Sequence, residues 1–156
     1  MHWFGVVDGD PRAVGLFHRH YSCTNRKADH VRYGFSGNGE SMILMTQDCL
    51  ALFAWRKQKL NDAGQSGIEC TVFRNEGQIL SSELIKEADE LAWQRWDDAR
   101  HYTYVNPKKI RSTNPGYCFL EAGWGKCGTS KKGLVILEKV RRWGLTFTLI
   151  YNIIEL

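Results

Sequence analysis

His20 and Tyr21 stand side by side in the run His18-Arg19-His20-Tyr21-Ser22, and both side chains can take part in proton transfer. An imidazole titrates nearest to neutrality, so His20 is a candidate general base with Tyr21 as its companion. The same pair would also suit a helix end, where His is favoured whatever the function. Farther on, His101-Tyr102-Thr103-Tyr104-Val105-Asn106-Pro107 reads as a strand entering a turn. On a strand Tyr102 and Tyr104 share one face and Thr103 takes the other. A Tyr hydroxyl at such a strand end can donate to an oxyanion or a leaving thiolate, and its ring can stack on an extruded base. Asn106-Pro107 and Asn114-Pro115 repeat one dipeptide around a basic loop, and each bends the chain while offering an amide. Tyr117 follows directly. The candidate catalytic residues are therefore His20, Tyr21, Tyr104, Asn106 and Tyr117.

Other chemistries are weaker in this sequence. His18, His20, Cys23 and His30 form a candidate set of metal ligands, but their spacing matches no standard zinc signature. Residues alternating along a helix do not face one another, so no metal is assigned. Neither a nucleophile elbow with its Ser-His-Asp partners nor a paired-carboxylate motif is present, which argues against hydrolases.

The elements that would hold these residues can be read from pattern. Asp10 and Pro11 open a short helix through Tyr21. The polar, glycine-containing stretch that follows, to Glu40, is long enough to read as functional rather than connecting. Met42–Thr46 and Cys49–Trp55 are apolar runs joined as a hairpin, and Gly67–Phe73 is a third strand beside them. Leu84, Ala88, Leu91 and Ala92 define one face of a helix with Ser81 or Ser82 as cap. A short helix and a strand pair follow HYTYV. Residues 143–156 are strongly apolar and read as an added strand, closing a sheet edge or pairing with another copy. A strand that passes through a Gly turn into a helix start presents backbone N–H groups to phosphate. Val72, Phe73, Arg74, Asn75, Glu76, Gly77, Ser81 and Ser82 are that candidate cofactor cradle.

Composition fits this picture. A chain of 156 residues with 43% hydrophobic content is most economically one domain with a real core. No apolar run reaches the ~18–20 residues that span a bilayer. Its five cysteines are odd in number and lack a CxxC pair, which suits reduced thiols in a cytosol. The net charge of +4 is unevenly spread. Residues 11–35 carry five Lys/Arg against Asp29, and residues 106–133 carry six against Glu121. Residues 61–98 reverse the sign, with nine acids against three bases. Arg19, Arg26, Lys27, Lys108, Lys109, Arg111 and Asn114 are the candidate contacts to a polyanion.

Taken together, FRNEG, SSELI, YTYVNPKKIRSTNPGYCFLEAGWGKCG and HRHYS resemble the Mom-type DNA-modification proteins of phages. These are a divergent branch of the GNAT acyltransferases, and the resemblance runs from Pro11 to Lys139. It implies a GNAT-like α/β fold, a central mixed and mostly antiparallel sheet flanked by helices, splayed between its fourth and fifth strands. It also implies acetyl-CoA or a related acyl-CoA as cofactor, and double-stranded DNA as partner. The adenine exocyclic amine would become a carbamoylmethyl-type derivative. A phage or prophage protein in the cytoplasm of a bacterial host, monomer or homodimer, is the corresponding expectation. Two departures stand out. The pyrophosphate loop keeps Arg74 and Gly77 but has Ile79 at its last, normally small position, and Phe119 replaces a common Tyr acid. The alternatives are a GNAT N-acetyltransferase for a protein or small amine, and a catalytically silent DNA-binding module.

Overall fold

Continuous apolar runs in the central strands generate a sheet that is buried on both faces. In the computed structural model, which describes residues 1–58, 64–98, 100–111 and 113–142, seven strands form one mixed sheet. They are β1 (Trp3–Val6), β2 (Glu40–Thr46), β3 (Ala51–Lys57), β4 (Ile68–Asn75), β5 (Arg100–Val105), β6 (Gly125–Thr129) and β7 (Val135–Val140). Their spatial order is β1-β2-β3-β4-β5-β7-β6. The β4–β5 pair is parallel, and every other neighbouring pair is antiparallel. Four helices accompany them among the described residues: α1 (Pro11–Arg19), α2 (His30–Tyr33), α3 (Ser81–Arg95) and α4 (Tyr117–Glu121).

The period of two decides which helix covers which face. Leu44, Phe53 and Trp55 pack with Leu84, Ile85 and Ala88 of α3 and Phe119 of α4. Their strand neighbours Ile43, Met45, Leu52 and Ala54 pack with Ala13, Leu16 and Phe17 of α1. Residues alternate along β2 and β3 between these two cores, so α1 and the α3–α4 pair lie on opposite faces. The expected α/β class and mostly antiparallel sheet are therefore present.

Several local readings change. β1 escaped the sequence reading because four residues give no usable periodicity. It is held to α3 by the Trp3 indole N–H, which donates to the Leu84 carbonyl at 2.8 Å. α2 lies inside the stretch read as loop, capped by the Asp29 carboxylate, which accepts from Arg32 N–H. α3 is capped by Leu80 without a side-chain bond, and Ser81 and Ser82 form its first turn. The added strand read at 143–156 lies outside the described residues.

Candidate active site

The parallel pair at the centre of the sheet is short. β4 and β5 are in register only over Ile68–Cys70 and His101–Thr103, with Thr103 Oγ1 donating to the Cys70 carbonyl at 2.8 Å. Immediately beyond, the β3–β4 register skips Thr71, since Ala54 faces Val72 and Trp55 faces Cys70. A bulge leaves one residue unpaired and bends its strand. Past this point β4 and β5 diverge, which is the splay expected between the fourth and fifth strands.

The opening holds a cleft of ≈ 340 Å³ whose walls include His20, Tyr21, Phe73, Tyr104, Asn114 and Tyr117. An adjoining cleft of ≈ 240 Å³ shares His20, Tyr21, Cys70, Thr71 and Tyr104, and adds Glu69, Asn106 and Lys109. The five shared residues form a neck between two compartments. All five candidate catalytic residues therefore line this pair of clefts. A wider concavity of ≈ 840 Å³ lies beside Trp93, Trp124 and Lys139. There Lys139 is engaged by Asp89 and Glu138 by Arg100, which leaves those two without a free acid–base role.

His20 caps α1 through its own N–H, which donates to the Phe17 carbonyl, so part of its placement is structural. Its ring stacks on Tyr21, with centroids 4.4 Å apart at 29°. Burial first, and then the nearby positive charge of Arg74, push its pKa down to about 4. The imidazole is thus neutral at pH 7. The Ser22 backbone N–H points at His20 Nδ1 at 3.2 Å, with Ser22 Oγ 2.8 Å away. A backbone N–H can only donate, so Nδ1 must accept and the ring proton lies on Nε2. In that tautomer His20 offers the cleft a donor rather than a free base.

Tyr21 accepts the Asn106 backbone N–H at 3.3 Å, tying the end of α1 to the end of β5. Burial raises its pKa, as it does for Tyr104, so both hydroxyls keep their protons. The Asn106 side chain is used locally, accepting Lys108 N–H at 3.1 Å. Tyr117 is 55% exposed at the rim, and its bond to Glu121 raises its pKa. Cys70, Thr71, Ile110, Gly116 and Cys118 also line the larger cleft and were not singled out from sequence. Nothing in residue type marks them, because the bulge and the turn bring them in.

The proposed cofactor residues divide. Phe73 faces the cleft, whereas Val72 packs in the core beneath α1. Asn75 Oδ1 accepts Gly77 N–H at 2.9 Å, and its Nδ2 reaches the Ile79 carbonyl and Ser81 Oγ. That side chain builds the turn. Arg74 and Arg19 both bind the Glu76 carboxylate, and these hydrogen bonds lower its pKa to about 2. At the start of α3, Glu83 and Leu84 N–H both reach the Leu80 carbonyl. Ser81 and Ser82 N–H precede them, with no side-chain cap to occupy them. These residues fit an anionic group at the helix start, with Glu76 as the internal competitor for the guanidinium groups.

The basic candidates are exposed: Arg19, Arg26, Lys27, Lys108, Lys109 and Arg111 all lie on the surface. Lys109 and Asn114 reach the clefts themselves. Arg19 is occupied by Glu76, and Arg26 donates to the His18 carbonyl at 2.8 Å.

No protein-family model matches the sequence, and no curated protein matches it by sequence. Solved structures do match by shape. The aminoglycoside acetyltransferase AAC(6')-Ib in complex with coenzyme A is similar at 13% identity, covering 90% of this chain and 94% of its own, with a TM-score of 0.60. The aminoglycoside 6'-N-acetyltransferase from Enterococcus faecium is 12% identical, with 92% and 100% covered and a TM-score of 0.63. An acetyltransferase from Thermus thermophilus is 16% identical, with 90% and 100% covered and a TM-score of 0.55. The chain has the GNAT acetyltransferase fold.

Proposed function

We propose that this chain is an acyltransferase of the Mom type, using an acyl-CoA donor to modify the exocyclic amine of adenine in DNA. The observation that carries the reading is the neck between β4 and β5, where His20, Tyr21 and Tyr104 border both compartments. One compartment can hold a donor while the other admits an acceptor, with reacting atoms meeting at the neck. The solved structures of the same fold that contain coenzyme A support the donor class.

Bound acyl-CoA would supply an activated thioester carbonyl. Ser81 and Ser82 backbone N–H groups would hold its diphosphate at the positive end of α3. Phe73 and Thr71, on β4, would flank its arm. His20 Nε2–H and the hydroxyls of Tyr104 or Tyr117 would donate to oxygen or sulfur as negative charge develops there. An exocyclic adenine amine is neutral and weakly nucleophilic, so donor-side polarisation is the larger contribution of this site. The base would be taken out of the stack, because a duplex hides its amine from a cleft lying inside a sheet.

The choice of acceptor rests on charge. The small-amine alternative has support in the structural neighbours named as aminoglycoside acetyltransferases. Aminoglycosides are polycations. Here Lys109 lines the acceptor-side cleft, exposed Lys108 and Arg111 follow it closely along the chain, and Glu69, the carboxylate in its wall, is already bound by Arg56. Such a rim repels a polycation and attracts a phosphate backbone.

The test is nucleoside mass spectrometry of host DNA after expression. A new adenosine mass is the expected result. Unmodified DNA together with an acylated small amine would replace this reading with the alternative.

A further inference from the structure

The histidine and cysteine residues of segment 18–30 separate in the fold in a way their spacing does not suggest. His20 turns to the cleft. His18, Cys23 and His30 instead converge, each offering one ligand atom, and these atoms all lie within 4.8 Å of one another. His18 Nε2 and His30 Nδ1 are 2.8 Å apart, with their rings edge to face at 5.1 Å. Cys23 is 5% exposed within the core under α1, and its thiol has no hydrogen-bond partner among the described residues.

We propose that His18, Cys23 and His30 form a binding site for a divalent transition metal of the zinc class, which clamps the end of α1 to the loop and to α2. One thiolate and two imidazoles are a borderline-soft donor set suited to zinc. Tetrahedral zinc with bonds of ~2.0–2.3 Å holds neighbouring ligand atoms roughly 3.3–3.7 Å apart. The observed separations bracket that range, so side-chain movements of about 1 Å complete the site. A water would take the fourth position.

The surroundings favour a metal over an ordinary hydrogen-bonded pair. The 2.8 Å contact between the two rings leaves the buried thiol beside them unused. Binding of the cation releases the thiol proton to solvent, while the ring whose N–H faces the other imidazole carries its own proton on its second nitrogen instead. The scaffold is also in place. Arg26 Nε donates to the His18 carbonyl at 2.8 Å, and Cys23 N–H donates to the His20 carbonyl at 3.1 Å. Phe17 packs edge-on against the His30 ring at 5.1 Å and stacks on Phe35 at 4.6 Å.

Residues 21–29 contain no regular element, so a cross-link at 18, 23 and 30 supplies the rigidity that secondary structure does not. His20 and Tyr21 lie inside the loop so closed. The positioning of those two residues rests on the acyltransferase reading, whereas the metal site does not.

The experiment uses the full chain purified without chelators. Elemental analysis should find about one zinc-class ion per chain. Replacement by Co²⁺ should give a thiolate-to-metal charge-transfer band, and chelation should lower the melting temperature until Zn²⁺, but not Mg²⁺, is restored. Cys23→Ala and His30→Ala should lose the band, while His20→Ala keeps it. Wild-type protein that gives no thiolate band with Co²⁺ overturns the site, and needs no variant to fold. A band lost in His20→Ala as well overturns this ligand set. A bound metal with unmodified host DNA would leave the site standing and remove the function proposed above.

Discussion

Two histidines, one at each end of the β4–β5 pair, show how the same side chain is put to opposite uses. His101 lies where the strands are in register and is fully buried. Its Nδ1 faces Asp89 Oδ1 at 2.8 Å, and the ring is stacked on Trp93 at 4.6 Å and 17°. The second Asp89 oxygen accepts from Trp124 Nε1 at 3.1 Å and Lys139 Nζ at 2.9 Å. His101 Nε2 is buried and unpartnered among the described residues. His20 lies where the strands part. It has an arginine whose charge opposes protonation, and open space on both sides. Desolvating a polar ring costs free energy that must be recovered from partners. At His101 a buried carboxylate meets Nδ1, and Trp55, Trp93 and Trp124 surround the ring. At His20 exposed Ser22 meets Nδ1, and a ligand for the rest of the ring belongs to the function proposed above.

The largest effect tests the closed end. Asp89 is fully buried and gathers three partners, so Asp89→Ala takes the counter-ion from the Lys139 ammonium, leaving it the Ala122 carbonyl, and the Nδ1 partner from the imidazole. Breaking a buried charge network by removing one member costs about 3–5 kcal/mol. For a chain of this size that lowers the melting temperature by on the order of 10 °C. Calorimetry measures it. A shift of only a degree or two would mean that water already reaches this cluster, and the contrast with His20 would collapse.

The next effect tests the open end. His20→Ala should leave folding near parental while reducing base modification by roughly 100- to 1,000-fold, the usual cost of losing a donor to a developing oxyanion. Single-turnover rates with DNA make the comparison. Near-parental rates with a lower melting temperature would make His20 a helix cap and nothing more.

A third variant concerns the rim rather than the neck. Lys108, Lys109 and Arg111 replaced together by Ala should weaken DNA binding and reduce the slope of log affinity against log salt by up to about 3. Equilibrium binding at several salt concentrations measures this. An unchanged slope would move the DNA path away from the second basic loop.

These contrasts also explain what was legible in the residues. Short apolar runs in β2, β3 and β4 and the helical face of α3 specify the layers, because burial on the sheet and on one helix stripe demands them. His20, Tyr21, Tyr104, Asn106 and Tyr117 were legible as candidates because their chemistry is uncommon and they fall at element ends. Asp89 was not, since an acid between Glu87 and Glu90 on a helix looks solvated until its neighbours are known. The Thr71 bulge was invisible as well, because one unpaired residue changes strand direction without changing composition. The convergence of His18, Cys23 and His30 depends on a loop path that no periodicity encodes.

The smallest effect is the most discriminating, because it separates positioning from contact with the reacting atoms. Tyr21 stacks on His20 and accepts the Asn106 backbone N–H at 3.3 Å. Tyr21→Phe keeps the ring, hence the stacking, and deletes only the acceptor. Asn106 is half-exposed, so water can replace the lost bond and the stability cost should stay near ~1 kcal/mol. If Tyr21 acts by fixing the His20 plane and the start of the Asn106 turn, the chemical rate should fall about 2- to 10-fold, the equivalent of one neutral hydrogen bond. Donor affinity should be unchanged, since Phe73 in the cleft wall and the start of α3 are untouched. A loss as deep as that of His20→Ala, at full stability, would instead put the Tyr21 hydroxyl on the reacting atoms. The neck would then act through a hydroxyl–imidazole pair, and the contrast with His101 would lie in two residues rather than one.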